Sequence, residues 1–238
     1  GDYYVKFNEL KKEDPRAEEK AQELLVKWEA PDPETIALWK KMNEWAVGGI
    51  RRTYERTGVS FDKYYYESQI YLTGKDEVQK GLASGVFFKA EDGSVRVDLT
   101  PIGLEEKVLL RKDGTSIYMT QDLGLAIHRH ADWPFDRLVY VVANEQQYHF
   151  KVLFYILKRL GYEWADSLFH LSYGLVNLPE GRMKTREGTV VDADSLLDSL
   201  RELALEEIQA KGREDAVGDP QDTAEKIALG AVHYYLAQ

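Results

Sequence analysis

The stretch from Leu138 to Ala143, entered from Arg137, constrains this chain more than any other, because Leu-Val-Tyr-Val-Val-Ala is apolar without alternation. A strand that buries one face alternates, whereas a continuous Val-rich run needs cover on both faces, the habit of parallel strands. A helical period follows over about 147 to 160 and stops at the turn offered by Gly161. Strand then helix predicts an α/β unit with parallel strands, and open sheets of that kind take ligands just beyond the carboxyl ends of their strands. A second run, Leu168 to Val176, leads through Pro179-Glu180-Gly181 into Val190-Val191-Asp192, with a helix predicted from Ala193 to Gln209.

Upstream, the segment from Asp14 to Trp28 interleaves charges with Ala17, Ala21, Leu24, Leu25 and Trp28, which is helical spacing. After Pro31-Asp32-Pro33-Glu34, a longer helix is predicted, with Asp32 as its N-cap, Pro33 in its first turn and a stripe through Ile36, Trp39, Met42, Trp45 and Ile50. From Ser60 the character changes to short extended runs. Glu91-Asp92-Gly93-Ser94 between Val86-Phe87-Phe88 and Val95-Arg96-Val97 predicts a hairpin, within a small antiparallel element at about 85 to 111. The segment Lys211 to Asp222 reads as a linker.

Composition excludes several classes. The chain has 238 residues, a hydrophobic fraction of 44% and a charged fraction of 30%, ordinary for a globular protein. No apolar run approaches the roughly 18 to 20 residues that span a bilayer, so no membrane partner is expected. Nothing at Gly1-Asp2-Tyr3-Tyr4 resembles a secretory signal, and the absence of cysteine suits a cytoplasmic protein. A net charge of −10 argues against a simple nucleic-acid-binding module, so any RNA is expected to be held locally, as by Lys40-Lys41 and Arg51-Arg52. The apolar helical pattern that runs into the last residue gives the expectation of a cut end.

Three strings carry chemistry. Leu178 to Asp192 places Arg182, Lys184, Arg186 and Thr185 in a glycine-bracketed loop between strand-like and helical segments. Such a loop can close over a polyphosphate, although on composition alone a solvated surface loop is the commoner use of such charge. In the second string, Leu109 to Gly124, Asp113-Gly114 turns the chain, Ser116 or Thr120 offers a cap, and a helix follows from about 121. Tyr118 and Asp122 lie four residues apart, one helical turn, and a carboxylate beside a phenol ring suits a guanidinium; a packed Tyr and a capping Asp are the plainer uses. The third string, Val141 to Phe150, holds Gln146 and His149 just past the carboxyl end of the predicted strand. His128 and His130, beside Arg129, read as a solvated helix face, since no third ligand is spaced to join them in a zinc site.

Taken together and in this order, the strings resemble arginyl-tRNA synthetases. Arg182-Met183-Lys184-Thr185-Arg186 is similar to the class I signature loop, with Thr185 where the general motif has its second lysine. The resemblance implies an ATP site at His149, Val176, Met183, Lys184 and Thr185, with Lys184 and Arg186 as the catalytic cations; which of the two meets the phosphates stays open. It implies arginine-binding roles for Tyr118, Asp122 and Gln146, and places Glu67, in Tyr66-Glu67-Ser68, near the tRNA acceptor end. The implied fold is the second half of a Rossmann-like α/β nucleotide-binding fold with parallel strands, plus an inserted α+β subdomain. Its expected divisions are an insertion over 1–111, the catalytic half over 112–210, and a linker with the start of a helix over 211–238. The implied partners are L-arginine, ATP and tRNA(Arg); Mg2+ would accompany ATP, no structural metal is expected, and the protein is expected to be a monomer. The His-x-Gly-His signature of the class does not occur, so this stretch is expected to be inactive alone. Another class I synthetase or adenylylating enzyme, or a non-catalytic module derived from the fold, are the competing readings.

Overall fold

The structure is a computed structural model, and it describes residues 2–176, 183 and 191–237. It divides into two compact units, one of residues 63–176 and one that joins residues 1–62 to residues 177–238. The divisions expected at 111 and 210 follow fold ancestry, whereas these units follow compactness, and the two partitions do not coincide.

In the unit of residues 63–176, helix α4 (Glu67–Ala83) precedes a three-stranded antiparallel sheet, β1 (Phe88–Lys89), β2 (Val95–Val97) and β3 (Lys107–Leu110), in the order β1-β2-β3. Helix α5 (Tyr118–Asp132), strand β4 (Leu138–Ala143), helix α6 (Gln147–Arg159) and strand β5 (Leu168–Tyr173) complete it. Strands β4 and β5 run parallel, with Tyr140 opposite His170 and Val142 opposite Ser172. The predicted hairpin is present, with Phe88 opposite Arg96 and Lys89 opposite Val95. Asp92 fixes its turn: Oδ1 accepts from the Ser94 amide at 2.9 Å and from the Ser94 hydroxyl at 2.6 Å.

One core serves both sheets. Val97, Leu99 and Leu109 from the antiparallel element pack in the same cluster as Leu123 of α5 and Val152, Leu153, Ile156 and Leu157 of α6, all fully buried. The small sheet is therefore not a satellite; its strands are too short to stand without the helices. Rings dock α6 on the parallel pair, with Phe150 at 4.8 Å from Tyr140 and 4.5 Å from His170. His170 Nε2 also donates to the Val142 carbonyl at 2.8 Å, tying β5 to the end of β4 through a side chain. The opposite face of the pair leaves Val139, Val141, Phe169, Leu171 and Tyr173 exposed, in contrast to parallel sheets covered on both faces.

Helix α4 is absent from the sequence reading. Gly74 and Gly81 weaken its local preference, and both are explained by close approach. A Cβ on Gly74 would sit 2.0 Å from the Thr120 carbonyl oxygen of α5, and one on Gly124 would sit 2.5 Å from the Gly74 nitrogen. The two helices cross backbone on backbone. Helix α5 starts at Tyr118 with Ile117 as N-cap, and no side chain caps it. Neither Ser116 nor Thr120 serves; Thr120 is buried, and its hydroxyl donates to the Leu109 carbonyl at 2.5 Å. The pair of histidines also needs correction. His128 is exposed, but His130 stacks on Trp164 at 4.8 Å and meets the Phe135 edge at 5.0 Å, so it packs rather than facing solvent.

The other unit contains α1 (Asp2–Glu13), α2 (Ala17–Glu29), α3 (Pro33–Thr57), α7 (Ala193–Ala210) and α8 (Pro220–Leu236). Asp32 caps α3 by accepting from the Thr35 amide at 2.9 Å, and Gly58 ends the helix at φ 72°, where a side chain would be strained. Trp28 and Trp39 pack edge to face at 5.6 Å. Arg56 of α3 joins α7 and α8: Nε reaches Glu225 at 2.8 Å and Nη2 reaches Asp198 at 3.0 Å. Its neighbour Thr53 donates to Asp194 at 2.7 Å.

Candidate functional site

Strand β4 ends at Ala143, a single 3-10 turn (Asn144–Gln146) follows, and α6 starts at Gln147. This sequence of elements brings Gln146 and His149 to the carboxyl end of β4. Helix α5, located by its crossing with α4, brings Tyr118 and Asp122 to the same place. Together with Val142 and Phe150 these four side chains line an open hollow of about 400 Å³. Its base is apolar and its rim polar, the usual division between affinity and orientation in small-molecule sites.

Asp122 is the charged centre. Its Oδ2 lies 2.6 Å from His149 Nε2, with side-chain exposures of 42% for the aspartate and 20% for the histidine. The ring N–H donates to the carboxylate, whether the imidazole is neutral with its proton on Nε2 or is protonated on both nitrogens. Among the described residues, Asp122 Oδ1 has no hydrogen-bond partner. Tyr118 is 79% exposed at the start of α5, with its ring available to stack on a planar cation. Deeper along β4, the Tyr140 hydroxyl is buried. Burial pushes this phenol up, against the pull of the Arg129 guanidinium 5.8 Å from its ring and with the push of Asp122.

The expected site residues are thus distributed unevenly. Tyr118, Asp122, Gln146 and His149 share one hollow. Glu67 is exposed in the first turn of α4, outside the hollow, and Val176 is exposed beyond β5, also outside it. Met183 is half-buried and belongs to the other unit, while Lys184, Thr185 and Arg186 lie outside the described residues. Sequence reasoning missed the apolar lining by Val142 and Phe150, although both stand inside the Val141-to-Phe150 string. It also missed the Asp122–His149 pair, which has no local signal because its members are 27 residues apart.

A larger hollow, about 500 Å³, runs along the antiparallel hairpin between Phe88 and Glu106. Its arginine is already engaged, since Arg96 pairs with Asp92 at 2.7 Å and with Glu106 at 3.3 Å. The smaller hollow, with an aspartate oxygen still open, is the better site.

Comparison with known proteins identifies what the whole chain is similar to. The curated relatives include the arginine–tRNA ligases of Treponema denticola, 63% identical over 240 residues, and Treponema pallidum, 58% identical over 239 residues. Each alignment takes in 100% of this chain but only 41% of the relative. Among solved structures, the arginyl-tRNA synthetase of Plasmodium falciparum superposes with a TM-score of 0.75 at 16% identity, covering 93% of this chain and 37% of its own. That of Thermus thermophilus gives 0.64 at 20% identity, covering 91% and 44%. These likenesses establish a shared fold. The family described as tRNA synthetases class I (R), catalytic domain, matches residues 1–236, and the chain belongs to it.

Proposed function

We propose that this chain is the substrate-selecting part of an arginine–tRNA ligase that joins L-arginine to tRNA(Arg) with ATP. The observation that carries the reading is the convergence of Tyr118, Asp122, Gln146 and His149, from three separate elements, on one hollow at the carboxyl end of β4. A guanidinium offers planar donors that an aspartate accepts and a face on which a phenol stacks, so Asp122 and Tyr118 suit the arginine side chain and Gln146 its polar end. In the first step, an arginine carboxylate oxygen attacks the α-phosphorus of ATP and pyrophosphate leaves. In the second, a terminal ribose hydroxyl of the tRNA displaces AMP. Val176, Met183 and Thr185 are assigned to the nucleotide; the resemblance implies the same for His149, which is paired with Asp122. Lys184 and Arg186 are assigned to the negative charge that grows on the phosphates, where fixed cations accelerate transfer. Glu67 is assigned to the acceptor end of the tRNA.

The chain spans 41% of the length of the ligases it matches, so the activity is that of a protein of the relatives' length, taken here to be a cytoplasmic monomer. Magnesium enters as the companion of ATP; among the described residues, no group of three His, Cys, Asp or Glu side chains is arranged to hold a metal. No described helix is long and apolar enough to cross a membrane. The test is Asp122→Ala in a ligase-length protein carrying this sequence. Loss of a charge-assisted contact to the guanidinium should raise the arginine KM by about 100- to 1000-fold while the ATP KM changes little. An arginine KM that survives the change refutes the pocket assignment.

A further inference from the structure

We propose that His149 is a positioning residue of the arginine pocket: from α6 it holds one oxygen of the Asp122 carboxylate so that the other faces the incoming guanidinium. This rests on the arginine reading given above and departs from the assignment of His149 to the nucleotide.

Asp122 stands in the second turn of α5 with its side chain 42% exposed, open enough for the carboxylate to rotate among its rotamers if nothing held it. His149 Nε2, 2.6 Å from Oδ2, removes that freedom. The distance is short even for hydrogen bonds that involve an ionised partner. The ring is itself held: 20% exposed, it meets the edge of Phe150 at 5.7 Å and 90°, and Phe150 is anchored between Tyr140 and His170 over the parallel strands. A rigid chain of contacts therefore runs from the β4–β5 pair to the carboxylate.

The consequence is a division of labour between the two carboxylate oxygens. Oδ2 is committed to the protein, and Oδ1 has no partner among the described residues, on a side chain that lines the hollow together with Tyr118 and Gln146. An acceptor fixed in advance spares the substrate the cost of ordering it, so affinity for the guanidinium is gained without a further contact. The nitrogen of His149 that reaches farthest from the backbone is already in use by Asp122.

The experiment is steady-state pyrophosphate exchange in a ligase-length protein carrying this sequence, with arginine KM, ATP KM and kcat measured separately. His149→Ala is expected to raise the arginine KM about tenfold with the ATP KM and kcat within about twofold. His149→Gln, which retains an N–H donor of similar reach, is expected to recover most of that loss. His149→Phe keeps the ring packing without the nitrogen, should match the Ala variant, and serves in its place if Ala prevents folding. In an Asp122→Asn background, His149→Phe should add little, because the histidine acts through the carboxylate. A raised ATP KM with arginine KM unchanged would return His149 to the nucleotide and overturn the proposal. So would equal losses in the Gln and Phe variants, or a full His149 effect persisting in the Asp122→Asn background. Failure of the arginine reading itself looks different: Asp122→Ala would then leave the arginine KM unchanged whatever His149 does.

Discussion

Replacing Gly74 by Ala adds one methyl group where α4 crosses α5, and the expected sign is opposite to that of most Gly→Ala changes in helices. Alanine favours a helix interior over glycine by about 0.8–1 kcal/mol, so propensity alone predicts stabilisation. At this crossing, however, the new Cβ would lie 2.0 Å from the Thr120 carbonyl oxygen and 2.8 Å from its carbon. Ordinary contact begins near 3.4 Å, so Thr120 would have to retreat by more than an ångström. Thr120 cannot do so cheaply, since it is fully buried and its hydroxyl is bonded to the Leu109 carbonyl of β3. Overpacking of this kind costs about 3 kcal/mol at the upper end of its usual range, and subtracting the propensity gain leaves a net loss of about 2 kcal/mol. For a chain of this size that corresponds to a fall in Tm of about 4–8 °C. Gly230→Ala in α8 is the control, because among the described residues nothing outside the helix's own backbone lies within 4 Å of its Cβ and it should stabilise by about 0.5–1 kcal/mol. Thermal unfolding followed by circular dichroism measures both. A Gly74→Ala midpoint equal to or above that of the unchanged protein would refute the crossing.

Two further substitutions probe each unit's polar contacts. Tyr162→Phe removes the hydroxyl that donates to Glu77 at 2.7 Å, and because Glu77 is 4% exposed the loss should be about 1–3 kcal/mol in urea unfolding, with no loss refuting the bond. Burial first, and then the bond to Glu77, push the Tyr162 phenol up, so it should stay neutral through the alkaline range in a spectrophotometric titration. Arg56→Met removes the partner of Glu225, Asp198 and Asp194, at an expected cost of about 1–2 kcal/mol at neutral pH. The hydrogen bond from Arg56 holds the Glu225 carboxyl below its ordinary value, so its contribution is complete above the ordinary carboxylate range and is lost as pH falls through the depressed value. The difference in stability between the Met variant and the unchanged protein should therefore shrink below about pH 4; a difference constant to pH 2 would refute the pairing.

Much of this protein is written locally. The unbroken apolar run ending at Ala143 gives a parallel strand, Asp32 and Pro33 open α3, and the Asp92-Gly93 turn closes the hairpin, because each signal lies within a few residues of what it directs. The strings holding Tyr118, Asp122, Gln146 and His149 are equally local, and spacing alone puts Tyr118 and Asp122 one helical turn apart. Other features depend on residues far apart in the chain. Helix α4 is concealed by glycines that are costly for an isolated helix, and only the approach of α5 to Gly74 and of Phe87 to Gly81 explains them. The shared core of the antiparallel and parallel elements depends on packing among separated segments, which no local period encodes. The same holds at the site. The sequence supplies a carboxylate and an imidazole 27 residues apart, but the crossing of α4 with α5 and the docking of α6 on β4 and β5 decide that they meet. Hydrogen bonds act over about 3 Å, so a pairing between two helices exists only once tertiary packing has fixed both.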